Sequence, residues 1–208
     1  MRRLPLLSLL LALSLQPAFA KKGVSLAGSD QISAVAVIKE INLARENPAL
    51  YAKFVADSRQ FHMVERGRAV DEAVRFLRNA HPLPPLILSA GMCRAAADHC
   101  AEQIGGQVGH FGSGRSSPGN RINRYGRWIR AYGENISYGQ KSARAIILTL
   151  IIDDGVRSRG RKNIFNPTFN FAGAAVGRHA RYQTVCSIDF AGGYAEQGEV
   201  PTLVARNY

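Results

Sequence analysis

The chain has 208 residues, 46% of them hydrophobic, with three cysteines and a formal net charge of +12. That length holds one domain with a full core. The cations are scattered rather than clustered with aromatics, which excludes a recognisable nucleic-acid motif, and past residue 20 no apolar run is long enough to span a bilayer.

The first twenty residues read as a secretory signal. Arg2 and Arg3 make a positive start, Leu4 to Ala20 is apolar, and the run closes on small residues at Ala18 and Ala20. This is the pattern of an export signal cut after Ala20. The apolar stretch before Pro17 is shorter than the roughly 20 residues of a membrane anchor. The remaining 21–208 is read as a single domain, with a core over 30–193 and an irregular tail over 194–208. It keeps a charge of +10, since Arg2 and Arg3 leave the total of +12. A secreted or periplasmic domain this basic is drawn to anionic surfaces: phospholipid, cell-wall polymer, nucleic acid.

Along the chain, 30–46 carries Ile32, Val35, Ile38, Ile41 and Ala44 at helical spacing, with Asp30 as cap. Asn47-Pro48 restarts a second helix, PALYAKFVA. A third covers 71–80 and stops at Pro82, Pro84 and Pro85. A fourth runs over 89–106 from Ser89. The segment 105–139 is rich in Gly, Ser, Asn and Arg, a length of loop that is more often functional than idle. Ser142 then opens a helix that is apolar nearly all round and ends before Gly155, which sets Asp153 and Asp154 on its last turn. Carboxylates are disfavoured at that end of a helix dipole. Residues 169–177 and 182–193 read as a hairpin turned by GRHAR.

Export permits a disulfide. Cys93 and Cys100, on one helix, stand about 10 Å apart along it, too far to bridge each other. Either Cys186 pairs with one of them, leaving the third free, or the thiols stay reduced.

Six segments together resemble one family: INLARENPALYA at 41–52, GHFGSGRSSPGNRINRYGRW at 109–128, GENISYG at 133–139, LIIDDGVRSRG at 150–160, NIFNPTFNFAGAAVG at 163–177 and VCSIDFAGGY at 185–194. In this order they are similar to the CAP superfamily, the SCP-type domain of cysteine-rich secretory proteins, antigen 5 and group 1 pathogenesis-related proteins, in its bacterial branch. The resemblance implies an α+β fold, a three-layer α-β-α sandwich with a small antiparallel sheet. It also implies a shallow groove with two histidines and two acids.

By position these are His110, Glu134 and Asp154 or Asp153. The second histidine is missing: where bacterial relatives carry RGHR, this chain reads RGRKN. One His with two carboxylates is a poor Zn²⁺ site, so no cofactor is expected. His110, Glu134, Asp154 and His179 are the weak metal candidates. Arg159 or Arg161 is expected to neutralise Glu134 and Asp154 in the metal's place. His62, His81 and His99 read as surface or helix residues, and Asn135 as a turn-former.

The implied function is a secreted binding protein for a lipid, cell-envelope or host ligand. The alternatives are a metal-assisted or His–acid hydrolase of protease or lipase type, with His110 as base, and an electrostatic binder of envelope polyanions. No G-x-S-x-G elbow or H-E-x-x-H motif supports the hydrolase.

Overall fold

A computed structural model of the chain describes residues 32–58, 67–153, 155 and 160–198, all within a compact unit spanning 31–208. The signal-like segment 1–20, His62, Asp154, Arg159 and residues 199–208 lie outside the described residues.

Helix α1, Ala34–Glu46, starts where the Ser33 hydroxyl accepts the Ala36 N–H, so Ser33 is the cap rather than Asp30. Its buried stripe is Val37, Ile38, Ile41 and Ala44. Helix α2, Pro48–Asp57, follows at once, because Pro48 fits the first helical position and needs no N–H partner there. Helix α3, Gly67–Asn79, buries Val70, Ala73, Val74 and Leu77. After the proline connector comes the two-residue strand β1, Ile87–Leu88. Helix α4, Ala90–Glu102, is capped by Ser89 through the Met92 N–H. It stops four residues earlier than the apolar pattern suggested.

The Gly-rich stretch contains a short helix, α5, Pro118–Ile122, and then strand β2, Gly126–Tyr138. Helix α6, Ala143–Ile152, is capped by Ser142 as expected and buries Ile146, Ile147, Leu150 and Ile151. Each of these contributes roughly 1.5–3 kcal/mol of burial. A short helix α7, Arg161–Ile164, leads to the hairpin of β3, Phe171–His179, and β4, Gln183–Glu196. Strand β4 thus extends into what the sequence suggested was an irregular tail. Its last turns pair with β2, Gly126 against Glu196 and Trp128 against Tyr194.

The sheet order is β1-β3-β4-β2. It is antiparallel except for the short parallel pair of β1 with β3. Helices α1 and α6 cover one face, and α4 and α5 the other, which makes the α-β-α sandwich. The large core, with Ile38, Ile41, Ile147 and Ile151 against Ile188 and Phe190, fills the first gap. A smaller one, Met92, Ala95, Ile122, Ala191 and Tyr194, fills the second. Helix α4 lies so close to β3 that a Cβ on Gly173 would collide with the backbone of Met92 and Cys93.

The sandwich also corrects the disulfide expectation, since all three cysteines are free thiols. Cys186 points into the core beneath α1 and α6. Cys93 and Cys100 ride on α4, across the sheet. A period-2 strand sends Cys186 to the face opposite Val185 and Ser187, and the Cys100 thiol donates to the Ala175 and Val185 carbonyls. Burial pushes the Cys100 thiol up to about 11 and Cys186 well above its ordinary value, so neither is a poised nucleophile.

Candidate functional site

Strand β2 is an edge strand, and a groove of about 300 Å³ runs along its open side. The loop after α4 supplies Gly109 and His110, β2 supplies Glu134 to Ile136 and Tyr138, and the end of α6 supplies Leu150 and Asp153. Gly160 and Asn163 close the far wall.

At the floor sits Glu134, its side chain 1% exposed. A carboxylate this buried must be paired and hydrogen-bonded. Arg121, fully buried on α5, donates from Nη2 to both carboxylate oxygens at 2.9 and 3.0 Å. Ser187 Oγ donates at 3.0 Å from β4. His110 Nδ1 lies 3.2 Å from Oε1, with its ring more than half exposed to solvent. His99 Nε2 stands 3.4 Å from Oε2. Arg121 also donates to the backbone carbonyls of Ser116 and His110 at 2.8 and 3.1 Å. One guanidinium therefore fixes both the acid and the loop that carries the histidine.

The expectation of a surface or helix residue holds for His99 as to the helix, since it lies on α4, but it is fully buried. Its Nε2 lies 2.9 Å from the Gly109 carbonyl, and its Nδ1 3.3 Å from Glu102. The signal was present in the helix: Met92, Ala95, Ala96, His99 and Gln103 form one buried stripe at helical spacing. Asn135 is not a turn-former. It lies inside β2, where its amide donates to Gly160 O at 2.9 Å and accepts from Asn163 Nδ2 at 2.8 Å. These bonds hold the α7 segment against the groove.

Of the two cations expected in the groove, Arg159 lies outside the described residues and Arg161 is arranged otherwise. Arg161 turns away: Nη1 donates to the Ile151 and Ile152 carbonyls, and Nη2 pairs with Glu72. It satisfies the open carbonyls at the end of α6, where a positive charge is favoured. The guanidinium on Glu134 is that of Arg121, supplied from α5, the short helix before β2. Asp153 takes the left-handed conformation, φ 44°, just past α6, and its carboxylate accepts the Gly160 N–H. His179 is committed to the hairpin turn. Its Nδ1 accepts from the Arg181 and Tyr182 N–H groups at 3.2 and 3.1 Å, and Nε2 donates to Gln107 O at 2.9 Å.

Sequence reading missed a further acid. Asp189 pairs directly with Glu134 across β4 and β2, is fully buried, and neither of its oxygens has a hydrogen-bond partner. Burial first, then the Glu134 charge, push its carboxyl well above the usual carboxylate range, against the pull of Arg121. The folded state therefore holds a proton that the unfolded chain releases. The stability this contributes is fully present below the unfolded value of about 4 and is lost as pH rises through the folded value. Asp189→Asn should then melt higher than wild type in neutral and mildly alkaline buffer, with the gap closing towards about pH 4. Thermal melts across pH check this, and a gap that does not change with pH would contradict it.

A zinc site needs about four N, O or S ligands, and among the described residues no three His, Cys, Asp or Glu side chains are grouped to hold a metal ion. Glu134, the acid beside His110, has a guanidinium 2.9 Å away.

A model of the cysteine-rich secretory protein family, CAP, matches residues 62–190. The chain belongs to this family. Two solved structures are similar to this CAP domain. One is an extracellular SCP-domain protein from Bacillus anthracis strain Ames, with 21% identity, 61% of this chain and 40% of that chain covered, and a TM-score of 0.43. The other is an outer surface protein from Borrelia burgdorferi, with 13% identity, 61% and 87% covered, and a TM-score of 0.42. The match thus spans less than half the length of the first. No curated protein matches the chain. No helix among the described residues is long and apolar enough to cross a membrane.

Proposed function

We propose that this CAP domain is a secreted binding protein whose groove takes the polar end of a lipid, cell-envelope or host ligand, without Zn²⁺ and without covalent chemistry. The observation that carries this reading is the state of Glu134. Its charge is matched by Arg121 and its oxygens are filled by Arg121, Ser187 and His110. It is a positioning group for His110 and has no spare capacity as a base or a metal ligand. The described lining residues include no Ser, Thr, Cys or Lys to serve as nucleophile. What the groove offers is recognition: the outer edge of the His110 ring and the amide of Asn163, flanked by the apolar side chains of Ile136 and Leu150. A few polar groups set among apolar walls suit an amphiphile. The basic chain and the signal-like first twenty residues support an encounter outside the cytoplasm.

Native mass spectrometry of the protein recovered from its own producing cells tests both halves. The expected result is an organic adduct of lipid or envelope-fragment mass that His110→Ala loses, and no Zn²⁺ adduct when the metal is added. A Zn²⁺ adduct that His110→Ala abolishes would overturn the metal-free groove. Absence of any organic adduct from wild type would remove the support for a bound amphiphile.

A further inference from the structure

Beside the groove mouth, the loop between α4 and α5 displays three large apolar side chains to solvent: Ile104, 54% exposed, Val108, 57%, and Phe111, 66%. Single exposed apolar residues are ordinary, but three within eight residues of an otherwise polar, Gly-rich loop are not. The loop is also held in place. Ala180 N–H donates to Ile104 O at 3.0 Å and His179 Nε2 to Gln107 O at 2.9 Å. Gly109 donates to the Tyr138 hydroxyl at 3.0 Å and accepts from Gln103 Nε2 at 2.8 Å. Its apolar tips are therefore presented by a pinned backbone.

The element that pins it is the β3–β4 hairpin tip, and that tip is cationic. Arg178 and Arg181 are both exposed, with the Arg181 guanidinium 5.1 Å from the Tyr182 ring centre. Lys141 is exposed two residues beyond Gly139, whose N–H bonds Thr184 on the same hairpin. No Asp or Glu occurs in 103–133, 135–152 or 163–188. The intervening Glu134 is buried, and Glu102, at the end of α4, is tied to His99 beneath the loop. Apolar tips, an aromatic ring and cations that no described carboxylate pairs thus meet where the loop joins the hairpin tip. An anionic bilayer surface complements that set: its acyl boundary accepts the tips and its headgroup phosphates accept the arginines.

We propose that loop 104–111 and hairpin tip 178–182 form a docking surface that seats this domain on anionic phospholipid bilayers, next to the groove mouth. Ile104, Val108 and Phe111 enter the interface, while Arg178, Arg181 and Lys141 engage phosphates. The surface does not depend on what the groove holds.

Co-sedimentation with vesicles tests it, using the protein as recovered from its producing cells. One vesicle set is phosphatidylcholine alone and the other contains phosphatidylglycerol. The expected result is binding to the anionic vesicles that weakens with added salt, and little binding to the neutral ones. Phe111→Ser and Val108→Ser should each weaken it about tenfold or more. The pair Arg178→Glu with Arg181→Glu should abolish it. All of these positions are exposed, so the variants should melt with wild type. Failure to sediment with anionic vesicles overturns the proposal. So does binding that Phe111→Ser and Val108→Ser leave unchanged, because that pattern marks attraction of charge alone.

Discussion

Arg121→Met is expected to destabilise the domain by about 3–5 kcal/mol, the typical cost of removing one partner from a buried ion pair. Arg121 is fully buried, and its guanidinium acts on two neighbouring carboxyl groups, Glu134 and Asp189. Methionine fills much of the volume and leaves Glu134 charged in a nearly dry site. Glu134 keeps only Ser187 and the imidazoles of His99 and His110. The Ser116 and His110 carbonyls also lose their donor, so the loop bearing His110 loosens along with the core. Urea denaturation measures the loss. The double variant Arg121→Met with Glu134→Gln isolates its cause, since removing the stranded charge should recover more than half of the penalty. If the double variant is no better than the single one, packing rather than the buried charge explains the effect.

Arg45→Ala is expected to cost about 4 kcal/mol or more, through unmade hydrogen bonds and a cavity in the core. Arg45 sits in the last turn of α1, fully buried, with its fork spread over two connectors. Nε donates to Pro84 O at 3.0 Å, Nη1 to Ile164 O at 2.6 Å and Asn166 O at 3.2 Å, and Nη2 to Phe169 O at 3.2 Å. Those carbonyls belong to the proline run before β1, the last residue of α7 and the turn that follows it. A buried carbonyl without a donor costs about 1–3 kcal/mol. Arg45→Lys should rescue only part of the loss, because one ammonium on a single stem cannot reach both connectors as a planar fork does. Thermal and urea melts of the two variants test this. Full rescue by lysine would show that the charge alone matters.

The two residues behind these predictions show how unevenly the sequence discloses its structure. Ile38, Ile41 and Ala44 mark α1 by period alone, yet nothing in ARENP distinguishes Arg45 from a solvent-facing cation. Its burial depends on carbonyls 39 to 124 residues away. Arg121 likewise lies in a stretch of scattered arginines. Arg159 and Arg161 looked better placed to neutralise Glu134 because they follow the acid pair in the chain. The fold instead draws Arg161 to the end of α6, where two carbonyls and Glu72 satisfy it.

Local physical chemistry was enough to locate the caps at Ser89 and Ser142, the restart at Pro48, the buried helix around Ile147 and Ile151, and the hairpin near His179. Each of these depends on neighbours within about one turn or one strand pair, which a linear reading contains. The resemblance to CAP proteins pointed further, to His110 and Glu134 as neighbours. Sheet register and the choice of face are decided by tertiary packing. Register sets Asp189 opposite Glu134 and Ser187 beside it. The face sends Cys186 away from Cys93 and Cys100 and turns His99 inward beneath the groove. Shifting a strand by one residue would exchange every one of these partners without changing a letter of the local pattern. The identity of the groove's buried cation is therefore a property of the packed sandwich, which brings the Arg121 guanidinium to the carboxylate.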